Sequence, residues 1–253
     1  MKVTFLGTGT SQGVPVIGCE CEVCRSLDYR DKRLRSSVHI SVNGQSLVID
    51  SGPDFRQQML RERIKKLDAI LLTHSHKDHI AGLDDVRAYN FSQQMDMPVY
   101  GTASSLRQLE VEFYYAFEKN KYPGTPQLQL TEITEEPFAL NNITVVPLPV
   151  LHFRLPVLGF RIQDFSYITD ANQIPEETYE RLKGTKVMVI NALQREKHIS
   201  HFNLEEALTA ADRIGANQTY FIHVSHKLGQ HKLVEKELPK SVALAFDGLT
   251  IEI

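Results

Sequence analysis

Residues 67–79 read LDAILLTHSHKDH, a strand-length apolar run that ends in His74, His76, Asp78 and His79. The chain has ten histidines, and three of them fall within these six positions. The run before them has the near-continuous apolar character of a strand covered on both faces. Packing so many charge-capable groups together is costly unless an ion or hydrogen-bond partners compensate. This loop is therefore read as a metal site. The fold must bring a covered strand end to a place where more ligands can reach it.

Other apolar runs end in residues of the same kind. ITVVPLPVLH leads to His152, FSYITD to Asp170, QTYFIH to His223 and SLVID to Asp50. Ends of buried strands emerge at a sheet edge, where loops converge on a cleft. If these strands share a sheet, His74, His76, Asp78, His79, His152, Asp170 and His223 meet in one site. Seven such ligands with a shared carboxylate suit two ions about 3.5–4 Å apart. Asp50 is read as a residue behind the ligands or as a cap for the helix that opens near Pro53.

Strand-length runs recur at 2–7, 37–42, 45–50, 67–73, 143–148, 158–163, 165–170, 186–191 and 218–223. Asn43-Gly44 marks a tight hairpin between two of them. Helical patterns lie at 53–66, at 104–120 and at 203–215, the last with Asn203 as cap and Gly215 as stop. Antiparallel pairs with helices interspersed predict an α+β, layered αββα architecture. No repeat, linker or low-complexity stretch divides the chain, so residues 1–253 are expected to form one domain.

Lys+Arg of 28 against Asp+Glu of 31 gives a net charge of −3. That balance disfavours a grip on long nucleic acid, which draws on a broad basic face. The basic stretches 31–35 and 61–66 are read as solvated surface. No segment has the roughly 20 apolar residues of a membrane span, and the N-terminus lacks a signal-peptide pattern. A cytoplasmic protein is expected, and the cysteines agree. Cys19, Cys21 and Cys24 form C-x-C-x2-C, a poor disulfide framework and a good set of thiolates for a structural zinc. His226, three residues beyond His223, is the expected fourth donor.

THSHKDHIAGLDDVR resembles the H-x-H-x-D-H signature of the metallo-β-lactamase fold, the binuclear metallohydrolases, and the resemblance extends over nearly the whole chain. It implies an αββα sandwich with a two-metal site at one edge of the sheets. In it His74, His76 and His152 would hold one ion. Asp78, His79 and His223 would hold the other, and Asp170 would bridge. The N-terminal G-x-G, the three-cysteine loop, IDSGPD at 49–54 and the late His-x-x-His are similar to the cyclic phosphate phosphodiesterases of the carbon–phosphorus lyase pathway. The same residues also resemble the tRNA 3′-processing ribonucleases, but no Gly- or Lys-rich insertion stands for their RNA-gripping arm. The resemblance also suggests a homodimer.

The expected reaction is hydrolysis of a small or cyclic phosphodiester by a hydroxide shared between two divalent ions, Zn2+ or Mn2+. Two such ions, two carboxylates and one hydroxide leave about +1, which favours an anionic substrate. Asp78 and His201 are the expected catalytic residues, His201 assisting the leaving oxygen, with His198 the weaker alternative. His39 and His231 are expected to be structural. The rivals are carboxylic ester, thioester or lactone hydrolysis on the same ions, a tRNA-processing-type ribonuclease, and a non-catalytic metal-binding adaptor.

Overall fold

The computed structural model describes residues 1–253. Its first sheet takes β1 (Lys2–Gly7), β2 (Ser37–Val42), β3 (Gln45–Ile49), β4 (Ala69–Leu71), β5 (Met97–Gly101) and β6 (Leu128–Glu132) in that spatial order. The second takes β7 (Phe138–Leu140), β8 (Ile143–His152), β9 (Leu155–Ile162), β10 (Phe165–Tyr167), β11 (Val187–Asn191), β12 (Gln218–Ile222) and β13 (Val242–Leu244), again in order. The last strand, β14 (Thr250–Glu252), returns to the first sheet beside β1. Both sheets are mixed. β3 to β6 run parallel, as do β10 to β13, while the hairpins β2–β3 and β8–β9 are antiparallel.

The layering follows from period-2 burial on strands that are apolar on both faces. Leu47 and Ile49 point between the sheets while Val48 points outward, and Leu71 points inward between Ile70 and Leu72. In the second sheet Val189 and Ile222 face inward, and Met188, Ile190 and Phe221 face outward. The inner faces meet in one core with Val3, Phe5, Phe160 and Phe165. The outer face of the first sheet is covered by α1 (Phe55–Arg61) through Phe55 and Met59. The one-turn α2 (Lys77–Ile80), then α3 (Arg87–Gln93) and α4 (Ala103–Glu112) add Ile80, Tyr89, Leu106 and Leu109. Next comes the short α5 (Tyr114–Phe117). The outer face of the second sheet carries α6 (Glu176–Leu182) and α7 (Leu204–Ile214), which contribute Leu182, Ala207, Ala210 and Ala211. The one-turn α8 (His231–Val234) follows. This is the expected αββα order.

Several local expectations hold. Asn43 and Gly44 both have positive φ, as their two-residue turn requires. Asn203 caps α7 in a reciprocal capping box with Glu206, and Gly215 closes it in the left-handed region. Others are revised. The helix expected over 53–66 stops at Arg61, where the chain turns through Arg63 at φ 53°. The pattern over 104–120 breaks at Phe113 into α4 and α5, because Phe113 leaves helical geometry and its ring is buried under the first sheet. Residues 31–35 are not solvated surface. Arg33 is 4% exposed and donates to Thr8 Oγ1 at 2.8 Å and the Ala245 carbonyl at 2.6 Å, with His231 Nδ1 at 3.0 Å. Asp31, also buried, accepts from the His231 backbone N–H. The segment 83–129, whose role the sequence leaves open, supplies α3 to α5, β5 and the start of β6 on the outer side of the first sheet. No helix is long and apolar enough to cross a membrane.

Candidate metal centre

Asp50 follows β3, His74 lies three residues beyond β4, His152 ends β8, Asp170 lies three beyond β10 and His223 follows β12. These strand ends share one edge of the sandwich. Three of the residues sit in the left-handed region: Asp50 at φ 62°, Asp170 at 56° and His223 at 55°. Non-glycine residues there cost of order 1–3 kcal/mol, and such strain concentrates at functional sites. Here it turns each side chain from the strand line into the shared cleft. The loop carrying α2 is seated by glycine: a Cβ on Gly52 would lie 1.9 Å from the Asp78 carbonyl oxygen, so only glycine lets those backbones touch.

Two groups of donor atoms result. One is His74, His76 and His152; the other is Asp78, His79, Asp170 and His223. Within each group the donor atoms all lie within 4.8 Å of one another. His79 Nε2 stands 3.2 Å from Asp78 Oδ2 and 3.3 Å from Asp170 Oδ2, and His223 Nδ1 stands 3.3 Å from the same Asp170 oxygen. Donors about 2.0–2.1 Å from a tetrahedral ion are about 3.3 Å apart. His74 Nε2 and His79 Nε2 are buried and make no hydrogen bond. Two orphaned imidazole nitrogens aimed into a cluster of carboxylates fit a cation and little else.

The residues behind this cluster set its orientation. Asp50, fully buried, takes His79 Nδ1 at 2.7 Å and accepts from the Thr73 N–H at 2.9 Å and hydroxyl at 2.8 Å. It therefore fixes His79 with Nε2 inward, the carboxylate–histidine arrangement of metal sites. The alternative of Asp50 as a helix cap does not hold, since α1 opens at Asp54. His152 Nδ1 donates to the Ser200 carbonyl at 2.8 Å, which leaves its Nε2 to the cleft. Thr10 Oγ1 lies 3.3 Å from His223 Nε2, and Thr169 donates to Asp170 Oδ2 at 2.6 Å. The three threonines were invisible in the sequence, where they read as ordinary strand-end residues.

Electrostatics agree with ionised carboxylates and with neutral imidazoles at His74 and His223, while His79 is pulled the other way. Burial pushes against charge on Asp170, but His223 and His79 outweigh it and hold the carboxyl well below its usual range. Burial likewise opposes ionisation of Asp78, and His79 again overrides it. His74 is driven well below the usual histidine value by burial and by His79. For His79 itself burial is overcome by Asp170, Asp50 and Asp78, which raise it.

His201, 9% exposed, joins His152 and Asp170 in a third cluster, with its Nδ1 3.9 Å from Asp170 Oδ1 and no hydrogen-bond partner. Burial, then His223, lowers its pKa to about 3. His198 is exposed, its ring tilted against that of His201 with centroids 5.1 Å apart, and its Nδ1 meets the Ser200 hydroxyl at 3.3 Å. His39 pairs with Ser46 and His231 with Arg33, both outside the centre. A polar cleft of about 130 Å3 opens beside His226, walled by Thr10, Ser11, Gln12, Gln194 and Lys227. An apolar groove of about 320 Å3, between α1 and α3, touches none of these histidines.

A separate cluster joins the cysteines to His226. Its Nδ1 stands 3.3 Å from Cys19 Sγ, 3.3 Å from Cys21 Sγ and 3.6 Å from Cys24 Sγ. Zinc with Zn–S of about 2.3 Å and Zn–N of about 2.0 Å in a tetrahedron gives S···N edges of about 3.5 Å. The four residues fit a structural zinc, and His226 points away from His223's cluster as the spacing predicts.

The profile of the β-lactamase superfamily domain matches residues 45–224. An octanoyltransferase of Porphyromonas gingivalis is 42% identical over 252 residues, 98% of this chain and 51% of that protein. The chain thus spans about half the length of that relative. A ribonuclease Z of Mycobacterium sp. strain KMS is 26% identical over 254 residues, covering 88% of this chain and 84% of its own. The crystal structure of a diphosphatase from the PhnP family superposes with a TM-score of 0.93 and 39% identity over 100% of this chain and 97% of that one. The chain therefore belongs to the β-lactamase superfamily, with the metallo-β-lactamase fold and a likeness to the PhnP-family diphosphatase.

Proposed function

We propose that the protein is a metal-dependent phosphodiesterase acting on a small or cyclic phosphodiester. His74, His76 and His152 would hold one divalent ion, and Asp78, His79, Asp170 and His223 would hold a second. Zn2+ and Mn2+ both suit this donor set, and Cys19, Cys21, Cys24 and His226 hold a structural zinc. The observation that carries the reading is Asp170. Its Oδ2 lies 3.3 Å from nitrogens of both His79 and His223, and its Oδ1 faces His201. One carboxylate thus joins the metal donors to the only neighbouring buried histidine outside the proposed ligand set.

When bound, a pair of divalent ions lowers the pKa of a coordinated water towards about 7 and offsets phosphate charge. The protein supplies the rest. Asp50, Thr10 and Thr169 hold the donors in orientation. His201 hydrogen-bonds the substrate, and an anionic phosphoryl group beside it favours its protonated form, so a proton can pass from its ring to the leaving oxygen. The 39%-identical PhnP-family diphosphatase supports a phosphate ester as the substrate class. The octanoyltransferase name belongs to a protein about twice as long, and the formal charge of −3 weighs against the long RNA of the ribonuclease reading.

Purified protein loaded with defined Zn2+ or Mn2+ is expected to hydrolyse a phosphodiester faster than a lactone or a thioester in parallel assays. Asp78→Ala and His79→Ala are expected to lose at least 100-fold in kcat/KM while keeping their circular dichroism spectrum. Undiminished diesterase activity in either variant, or preferential turnover of the lactone or thioester, refutes the proposal.

A further inference from the structure

Residues 15–27 form an excursion that the rest of the fold holds at few points. Their backbone hydrogen bonds stay within the segment: the Cys19 N–H donates to the Val16 carbonyl, Arg25 to Cys21 and Ser26 to Val23. Ile17 and Leu27 are both 100% exposed, so these two side chains anchor nothing. Lys32 Nζ donates to the Cys24 carbonyl at 3.0 Å from just down the chain. The tie to the distant second half is made by sulfur, through His226. A zinc shared by Cys19, Cys21, Cys24 and His226 would thus be the fastening of this segment.

Within it the two cysteines of C-x-x-C differ in access. Cys21 is exposed, whereas Cys24 is only 5% exposed. The Arg25–Cys21 hydrogen bond, 3.0 Å long, closes one helical turn, which puts residues three apart on one face. The sulfurs of Cys21 and Cys24 accordingly lie within 4.8 Å of each other, and the Cys24 N–H points at Cys21 Sγ at 3.5 Å. Zinc binding keeps such thiols deprotonated, and the thiolate is the form that oxidants attack. An accessible thiolate with a second one close behind it is the arrangement that peroxide converts to a disulfide.

We propose that Cys21 and Cys24 are a modification site for hydroperoxides: oxidation joins them as a disulfide, empties the cluster of its zinc and frees residues 15–27. The Cys21 thiolate attacks the peroxide and the O–O bond breaks. One oxygen stays on sulfur as a sulfenic acid and the other leaves as hydroxide. The Cys24 thiolate then attacks that sulfur. The S–S bond forms, the S–O bond breaks and the second oxygen leaves as hydroxide, so two electrons pass from the sulfur pair to the peroxide. Cys19 and His226 remain, two donors where a structural zinc takes four. The proposal rests on the structural zinc of the preceding reading and goes beyond it.

Protein carrying zinc in both centres is treated with hydrogen peroxide, passed through gel filtration and compared with untreated protein. Elemental analysis is expected to show one zinc lost per chain as two thiols disappear. Peptide mapping is expected to find Cys21 joined to Cys24, with Cys19 still open to alkylation. Limited proteolysis is expected to cut within residues 15–27 only after oxidation, and dithiothreitol with Zn2+ is expected to restore the resistant form. Cys21→His keeps four donors and removes the exposed thiolate; it is expected to hold its zinc and to release it at least about tenfold more slowly at the same peroxide concentration. Zinc kept through oxidation, a bridge that includes Cys19, sulfinic acid without a disulfide, or equally fast release from Cys21→His overturns the proposal. If Cys21→His takes up no zinc, the wild-type peptide map decides alone. If untreated wild type and Cys21→Ser hold equal zinc, the structural-zinc reading fails by itself, and the map of the oxidised chain still decides whether Cys21 and Cys24 pair.

Discussion

Asp50 shows how much of the centre depends on residues that would touch no ion. It spends both carboxylate oxygens on Thr73 and His79 and is fully buried at a left-handed backbone position. Asp50→Asn keeps the shape, tolerates the backbone and removes the acceptor that holds His79 in one tautomer. Partners of metal-binding histidines are typically worth 10–100-fold in affinity. The variant is expected to fold and to bind its active-site metal about 10–100-fold more weakly in competition with a chelator; unchanged affinity would assign Asp50 to packing alone. At this scale the sequence is legible where chemistry demands a particular side chain. Histidine, aspartate and cysteine clusters stand out because few structural roles need them. Thr10, Thr73 and Thr169 do not, because a threonine near a strand end is ordinary and only proximity to His223, Asp50 or Asp170 gives it a task.

Elements were legible where both faces of a strand are buried or where caps are explicit. β2 and β3 with their Asn-Gly turn, and α7 with its capping box, need no tertiary information. Strands β5, β6, β7, β13 and β14 escaped the sequence reading, being only three to five residues long, and β14 pairs with β1 at the other end of the chain. β2 also carries a titration that tests its packing. His39, 8% exposed and bonded to Ser46, has its pKa lowered to about 4 by burial and then by Lys2. The unfolded chain takes up that proton near pH 6.5 while the folded chain refuses it until about pH 4. The neutral ring's contribution is thus intact above pH 6.5 and is lost progressively as pH falls towards 4. Urea unfolding of wild type is expected to lose about 1–3 kcal/mol more than His39→Gln between pH 7 and pH 4. Parallel pH curves for the two proteins would show that His39 titrates alike in both states.

The whole molecule is held together by contacts between distant parts of the chain. The cysteine loop meets His226 about 200 residues later, and Arg33 reaches Thr8, Ala245 and His231 in one buried network. These clamps fix residues 8–35 against the second sheet, beside the edge where Thr10 meets His223. Cys21→Ser is expected to lose one zinc per chain by elemental analysis, to keep the active-site metals, and to become more sensitive to proteolysis within residues 13–30. Full zinc retention would remove the structural site from the cluster.

The amino-acid sequence determined which side chains were available for metal chemistry, which strands are covered on both faces and where the strongest helix starts and stops. Those properties reside in side-chain type and short-range periodicity, and a chain displays them before it folds. Only the tertiary structure decided that Asp170 faces His79, His223 and His201 together, that Asp50 orients a histidine instead of capping a helix, and that Arg33 is interior. Each depends on distances between residues far apart in the chain, or on a backbone angle at one strand end. Hydrophobic pattern sets which faces are buried, but local sequence carries no record of which distant neighbour will stand opposite.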